Sequence, residues 1–229
     1  MYDILETDLS FKYLSKVSKF ENAVIAGGWA VYFYIKEGYR RAFGLDCLKS
    51  RDIDVFVKSK GLPEFIKEIA KLKFNPSAYF FRYELIYSRT KNKIIRQEEA
   101  KKSPIYDLIY VFLDLFTGMN SEKAWYIPIL NKTKVEVIDR IKVVDINTLL
   151  ELKCFSFFER EKLDKELKDA CDIYALLIYS NRKYKISKNI KEAIKKIINR
   201  RDLSEFISEH VLRDVTKVNI VISSLKSLI

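Results

Sequence analysis

The chain has 229 residues, a formal net charge of +11 and a hydrophobic content of 48%. With six glycines and four prolines, the composition excludes a disordered chain and predicts a compact protein of one large domain or two modest ones. No apolar run approaches the length of a membrane span, so we expect no membrane association. The basic charge favours a polyanionic partner such as RNA, DNA or nucleotides, although a lysine-rich surface selected for solubility or heat tolerance has the same charge.

Three cysteines, Cys47, Cys154 and Cys171, are widely spaced, and His210 is the single histidine. These numbers nearly exclude a structural zinc site or a disulfide framework. We therefore expect reduced thiols and a cytoplasmic protein, with His210 in a structural role.

Hydrophobic periodicity and turn residues predict mixed helices and strands up to residue 144. In chain order, the predicted elements are a helix over Leu9 to Phe20, a strand over Ala23 to Ala26, a helix over Trp29 to Lys36 ended by Gly38, a strand containing Asp52 to Val57, a helix over Leu62 to Leu72, strands over Ala78 to Ser88, Lys93 to Gln97 and Tyr106 to Phe116, and short strands over Trp125 to Leu130, Lys134 to Ile138 and Ile141 to Val144.

From Asp145 the pattern becomes helical, with Asp145 as the predicted cap of a helix that runs to Phe158. Further helices are predicted over Lys162 to Tyr179, Lys188 to Asn199 and Arg213 to Leu228. The predicted class is therefore α+β, a mixed sheet flanked by helices and followed by a helical region. The predicted domains are 1–144 and 145–229.

The corner Gly27-Gly28 lies between a buried strand and a helix. Glycines at such a corner let backbone N–H groups approach phosphate oxygens, helped by the helix N-terminus. Tight packing is the more frequent reason for two glycines at a corner. Neither a P-loop nor a dinucleotide-binding spacing is present.

Three aspartates occur in otherwise apolar strands. Asp52 and Asp54 are separated by one residue, so on one strand they share a face, and Asp114 lies in a run that is otherwise almost purely apolar. Carboxylates in such surroundings need a compensating charge, for which a bound cation is the usual solution. The sequence therefore predicts Asp52, Asp54 and Asp114 as metal ligands. Asp107 is expected to point to the other face of its strand.

Gly27-Gly28-Trp29-Ala30 with Ser50-Arg51-Asp52-Ile53-Asp54-Val55-Phe56, followed by a lone aspartate on an apolar strand, resembles the DNA polymerase β-type nucleotidyltransferase superfamily. More narrowly, the pattern is similar to the minimal nucleotidyltransferases of the AbiEii toxin group of type IV toxin–antitoxin systems. In that group a helix with a lysine and a helix with an aspartate follow the catalytic strands. Lys153, and Asp169 or Asp172, match this arrangement.

The resemblance implies Mg²⁺-dependent transfer of a nucleoside monophosphate from an NTP such as ATP to an acceptor hydroxyl. Two Mg²⁺ ions would be held by Asp52, Asp54 and Asp114, with Lys153 as a further catalytic residue. The implied nucleotide-binding residues are Gly27, Gly28, Ser50, Arg51 and Asp172. The acceptor would be an RNA, such as a tRNA end, or a protein, and an antitoxin would be a partner. A surface lysine is the ordinary alternative for Lys153.

The segment from Arg182 to Arg201 contains nine lysines or arginines and one acid, Glu192. On a helix, its isoleucines form one face and its lysines, Lys196 among them, point to solvent. This pattern suits either a solvated amphipathic helix or a track for RNA. The rivals to an enzyme are a non-catalytic module of the same fold that binds nucleic acid or a partner, and an unrelated basic domain with surface salt bridges.

Overall fold

The computed structural model describes residues 3–47, 49–118 and 124–229. The chain divides into two compact units, one comprising Met1–Ala30 and Leu48–Val144, the other Val31–Cys47 and Asp145–Ile229. The second unit thus includes residues 31–47, which we predicted in the first domain. They group there because Tyr39, for example, packs its ring on Tyr179 and donates a hydrogen bond to the carbonyl of Val211.

Within the described residues, eight strands form one mixed sheet in the first unit. They are β1 (Val24–Ile25), β2 (Ile53–Phe56), β3 (Asn75–Pro76), β4 (Arg82–Ser88), β5 (Lys93–Ile95), β6 (Leu108–Phe116), β7 (Val135–Ile138) and β8 (Ile141–Val144). The order is β3-β4-β6-β2-β1-β8-β7, with β5 beside β4. The pairs β2–β6 and β1–β8 are parallel and the others are antiparallel.

The described helices are distributed over both units. They are α1 (Ile4–Val17), α2 (Gly27–Phe43), α3 (Leu62–Lys71), α4 (Gln97–Ala100), α5 (Tyr126–Leu130), α6 (Ile146–Glu159), α7 (Leu163–Tyr179), α8 (Lys188–Asn199), α9 (Arg201–His210) and α10 (Val218–Lys226). The predicted α+β class, with a mixed sheet, flanking helices and a helical C-terminal region, is confirmed. No helix in these described parts is both long and apolar enough to cross a membrane.

Alternation along the central strands separates the two faces of the sheet. Val111 and Leu113 of β6 are buried, as is Leu85 of β4, and their side chains point into the core of the first unit. The alternate positions Phe112 and Asp114 of β6 face the other way. This second face carries the candidate site.

The strand predicted over Ala78 to Ser88 is wrong in its first four residues, because β4 begins at Arg82. Two further sequence predictions about single elements are wrong. Trp125 to Leu130 is not a strand, because α5 occupies it; in so short a helix the missing N–H of Pro128 falls in the first turn, where no partner is needed. Gly38 does not end a helix, since α2 runs on to Phe43. A Cβ at Gly38 would lie 2.0 Å from the carbonyl oxygen of Tyr179, so close approach explains this glycine.

The helical half follows the prediction except near its end. Asp145 caps α6 by accepting hydrogen bonds from the N–H groups of Asn147 and Thr148. The helix α9 was not predicted, and the single helix expected from Arg213 to Leu228 is instead a short 3₁₀ turn followed by α10. Extended backbone at Arg200, φ −105° and ψ 105°, separates α8 from α9.

Candidate active site

The corner Gly27-Gly28 begins α2 and lies directly against two predicted site residues. Gly27 has φ +57°, and a Cβ there would lie 1.8 Å from Oδ2 of Asp54. At Gly28 a Cβ would lie 2.6 Å from the hydroxyl oxygen of Ser50. Tight packing therefore does explain both glycines. The side chains that leave no room for a Cβ are those of Asp54 and Ser50. The carboxylate of Asp54 is therefore close to the first turn of the helix.

Three charged residues form a row across three adjacent strands. Asp54 of β2 is the register partner of Asp114 on the parallel strand β6, and Asp114 is the register partner of Arg82 on β4. Registered side chains on neighbouring strands point to the same face, about 4.8 Å apart. The structure thus brings Asp54 and Asp114 together although 60 residues separate them in sequence.

Arg82 binds both oxygens of Asp114. Its Nε lies 2.6 Å from Oδ1 and its Nη2 lies 2.7 Å from Oδ2, the bidentate geometry that suits guanidinium and carboxylate. Asp114 is 8% exposed, so its charge needs this partner. The guanidinium also lies over the ring of Phe112, 4.7 Å from its centre.

All three aspartates act on Arg82. The hydrogen bond to Asp114, together with the negative charges of Asp114, Asp52 and Asp54, raises the pKa of the Arg82 guanidinium above its usual value. Of the three acids predicted as metal ligands, Asp114 thus binds Arg82 directly, and Asp52 and Asp54 act on it through their charge.

Asp52 is held just outside β2, which begins at Ile53. The expectation that Asp52 and Asp54 share one strand is therefore wrong by one residue. The Nε of Arg51 lies 3.3 Å from Oδ1 of Asp52, and the buried Ser50 hydroxyl donates to the Asp52 carbonyl over 3.2 Å. The structure thus places Ser50 and Arg51 beside Asp52.

The acids suit a divalent cation by their chemistry. Carboxylate oxygens are the ligands that Mg²⁺ prefers, and Asp54 and Asp114 carry theirs on adjacent, registered strands. Among the described residues, no three acidic, histidine or cysteine side chains are arranged as a preformed metal site. Arg82 uses one lone pair on each oxygen of Asp114, so a metal bound by Asp114 would use a remaining lone pair or displace Arg82.

Lys153 and Asp172 meet in the second unit. The Nζ of Lys153 lies 2.5 Å from Oδ2 of Asp172 and 3.3 Å from Oδ1 of Asp169, and Arg160 binds the other oxygen of Asp169 at 2.8 Å. The Lys153 side chain is 13% exposed, so the alternative of a surface lysine is wrong. The catalytic and nucleotide-binding roles of Lys153 and Asp172 remain predictions.

The basic segment is only partly available to a ligand. Ile190, Ile194 and Ile197 of α8 are buried as predicted. The solvent position predicted for Lys196 is wrong, because Lys196 binds Glu166 at 2.7 Å and lies over the ring of Phe157. Structural ion pairs thus use part of the charge that suggested an RNA track.

Arg82 is the site residue that sequence reasoning missed. An arginine at the start of an aromatic strand was the available signal, but its partner depends on the register of β4 against β6. The segment between these strands is not a tight turn that would set this register. Asp107, which was set aside, accepts hydrogen bonds from Ser88 and Thr90 at the other end of the same two strands.

No protein-family model matches the chain, and no curated protein sequence is significantly similar to it. Among solved structures, JHP933 from Helicobacter pylori is similar, with a TM-score of 0.56 and 12% identity over 98% of this chain and 90% of that chain. An antigenic nucleotidyltransferase-like protein from Paracoccidioides brasiliensis aligns with a TM-score of 0.47 and 15% identity over 91% of this chain and 97% of that chain. At 12% identity, the likeness to JHP933 concerns the fold alone.

Proposed function

We propose that the chain is a Mg²⁺-dependent nucleotidyltransferase that moves a nucleoside monophosphate from an NTP to an acceptor hydroxyl. The observation that carries the proposal is the placement of Asp54 beside Asp114 on adjacent parallel strands, with the carboxylate of Asp54 against the Gly27-Gly28 corner. The site thus combines a carboxylate pair with a helix N-terminus, one group for cations and one for phosphates.

In this reaction Asp52, Asp54 and Asp114 would hold the metal. Bound Mg²⁺ would neutralise charge on the phosphates and increase the acidity of the acceptor hydroxyl. The backbone N–H groups at Gly27 and Gly28 and the hydroxyl of Ser50 bind the triphosphate. The acceptor hydroxyl gives its proton to a solvent water as its oxygen attacks the α-phosphorus, and the bond to the leaving pyrophosphate breaks.

Arg82 and Arg51 have separate roles in the proposal. Arg82 holds the carboxylate of Asp114 in position before the metal binds, since it donates to both carboxylate oxygens. Arg51, beside Asp52, neutralises charge on the phosphates. The family resemblance adds Lys153 as a catalytic residue, Asp172 as a nucleotide-binding residue, RNA such as a tRNA end or a protein as acceptor, and the role of a toxin paired with an antitoxin.

The test is transfer of label. The protein is incubated with each α-labelled NTP, Mg²⁺ and total RNA, beside the isosteric variants Asp54→Asn and Asp114→Asn and the surface variant Glu98→Gln. We expect transfer by the wild type and Glu98→Gln, a loss of at least 100-fold in both aspartate variants, and none with EDTA. Equal transfer by all four proteins would overturn the proposal.

The second candidate is a non-catalytic module of the same fold that binds nucleic acid or a partner. The observation in its favour is the bidentate Arg82–Asp114 pair, which occupies both oxygens of a predicted metal ligand. It predicts no transfer with any NTP, and RNA binding that Asp54→Asn leaves unchanged.

A further inference from the structure

The turn at residues 77–81 presents aromatic rings to solvent. Tyr79 is 61% exposed and Phe80 is 79% exposed, which is costly for side chains of this size. Phe81 lies between them, with ring centres 6.0 Å from Tyr79 and 5.4 Å from Phe80. The three rings thus form a small cluster whose outer members have open faces.

Hydrogen bonds hold this turn in a fixed shape. The N–H of Ser77 donates to the carbonyl of Arg82 at 3.0 Å, and the N–H of Arg82 donates to the carbonyl of Tyr79 at 2.9 Å. The N–H of Leu115 on β6 donates to the carbonyl of Phe81 at 2.7 Å. The aromatic cluster is therefore tied to the strand that carries Asp114, and little conformational entropy is lost when a ligand binds to it.

The position of the turn connects it with the proposed reaction. Phe80 is two residues from Arg82, whose side chain binds Asp114, so the open rings lie at the end of β4 and β6 where the acids lie. Tyr106, equally exposed at 80%, precedes the opposite end of β6. From Leu108 to Asp114 the strand extends about 20 Å. Tyr79 and Phe80 are thus near the acids, and Tyr106 is an equally exposed aromatic residue far from them.

We propose that Tyr79 and Phe80 form a stacking platform for unpaired bases at the end of a single-stranded RNA acceptor, an inference that rests on the proposed nucleotidyltransferase function. Exposed aromatic rings bind unpaired bases through their flat faces and tolerate any base. The net charge of +11 supplies attraction for the RNA backbone, which rings alone lack. The platform would hold the terminal nucleotides while the acids and the glycine corner act on the triphosphate.

The test is fluorescence anisotropy of a labelled single-stranded RNA of mixed sequence with the full chain, beside an oligomer of the same length with abasic sites throughout. The variants are Phe80→Ala, Tyr79→Ala/Phe80→Ala and the matched control Tyr106→Ala. Loss of one base–ring stack weakens binding about 5- to 150-fold. We expect such a loss with the RNA in both platform variants, no loss in Tyr106→Ala, and no effect of any variant on the abasic oligomer.

Three outcomes would overturn the platform: unchanged RNA binding in the double variant, equal loss in Tyr106→Ala, or equal loss with the abasic oligomer. Weaker NTP binding with unchanged RNA binding would also overturn it, by assigning the rings to the donor nucleotide. Transfer activity is measured separately. If the wild type transfers no label but its RNA binding depends on the rings, the proposed reaction is wrong and the platform stands. If the wild type transfers label but its RNA binding does not depend on the rings, only the platform is wrong.

Discussion

At the scale of single residues, the ion pair between Arg82 and Asp114 stabilises the buried carboxylate of Asp114. Replacement by alanine leaves a buried carboxylate without its bidentate partner, and we expect Arg82→Ala to lower the free energy of unfolding by about 2 kcal/mol at neutral pH without divalent metal. Arg82→Lys should lower the free energy of unfolding by less, since lysine keeps the charge but not the two-bond geometry. Urea titrations of the three proteins measure this, and an Arg82→Ala variant as stable as the wild type would contradict it.

Lys153 occupies a second buried cluster of charges. Lys153→Met removes the cation that Asp172 and Asp169 share, while Arg160 stays beside Asp169. We expect a loss of about 3 kcal/mol of stability, compared with less than about 0.5 kcal/mol for the exposed Lys191→Met. Denaturation of both variants by urea measures this difference. Equal stability of the two variants would contradict a stabilising role of Lys153 in this cluster.

At the scale of elements, the start of α2 determines the geometry of the site. Gly27 and Gly44 both have positive φ, +57° and +66°, but a Cβ at Gly44 meets nothing within 4 Å. Gly44→Ala should therefore cost only the backbone term of about 1–2 kcal/mol. Gly27→Ala should cost about 2–5 kcal/mol, because the methyl group also displaces Asp54. Thermal unfolding compares the two variants, and equal losses would contradict the close approach of Asp54.

Elements differ in how far their sequences determine them. The helices α3 and α8 and the strand β6 were predicted within two residues of their observed bounds, since each has its own hydrophobic period and its own end signals. The short apolar run Tyr126–Leu130 fits a strand or a helix equally well, and its outcome depends on tertiary packing. The role of Gly38 could not be predicted from nearby sequence either, because the group it approaches is the carbonyl of Tyr179, which lies far along the chain.

The scale of the whole molecule explains why the site could be predicted only in part. The three aspartates were identifiable because charge in an apolar strand is costly. Their arrangement depends on β2 pairing with β6 and β6 with β4, which are contacts between distant segments. Arg82 could therefore be recognised as a partner of Asp114 only from the register of β4 against β6. The grouping of residues 31–47 with the helical unit likewise depends on long-range contacts.

Stability should depend on pH at both ends of the range. Hydrogen bonds from Thr90 and Ser88 lower the pKa of Asp107, and a hydrogen bond from Arg200 lowers that of Asp202. A lowered folded-state pKa means that stability is present above pH about 4 and is lost as the pH falls below it.

At alkaline pH, stability is instead lost as the pH rises, because burial raises the pKa of the Cys154 thiol from 9.0 to about 12. Its contribution is complete below pH 9 and is lost as the pH rises. Chemical denaturation from pH 3 to 11 should show a plateau with two falling limbs, and Cys154→Ala should flatten part of the alkaline limb. A free energy of unfolding that is constant across this range would contradict both assignments.

The central claim is that the carboxylates beside Gly27-Gly28 hold a divalent metal together with a nucleotide. Titration of Mn²⁺, followed by electron paramagnetic resonance in the presence of an NTP analogue that resists cleavage between the α- and β-phosphates, tests it directly. We expect tight Mn²⁺ binding by the wild type and by Glu98→Gln, and binding at least tenfold weaker in Asp54→Asn and Asp114→Asn. Identical Mn²⁺ affinity in all four proteins would contradict the claim.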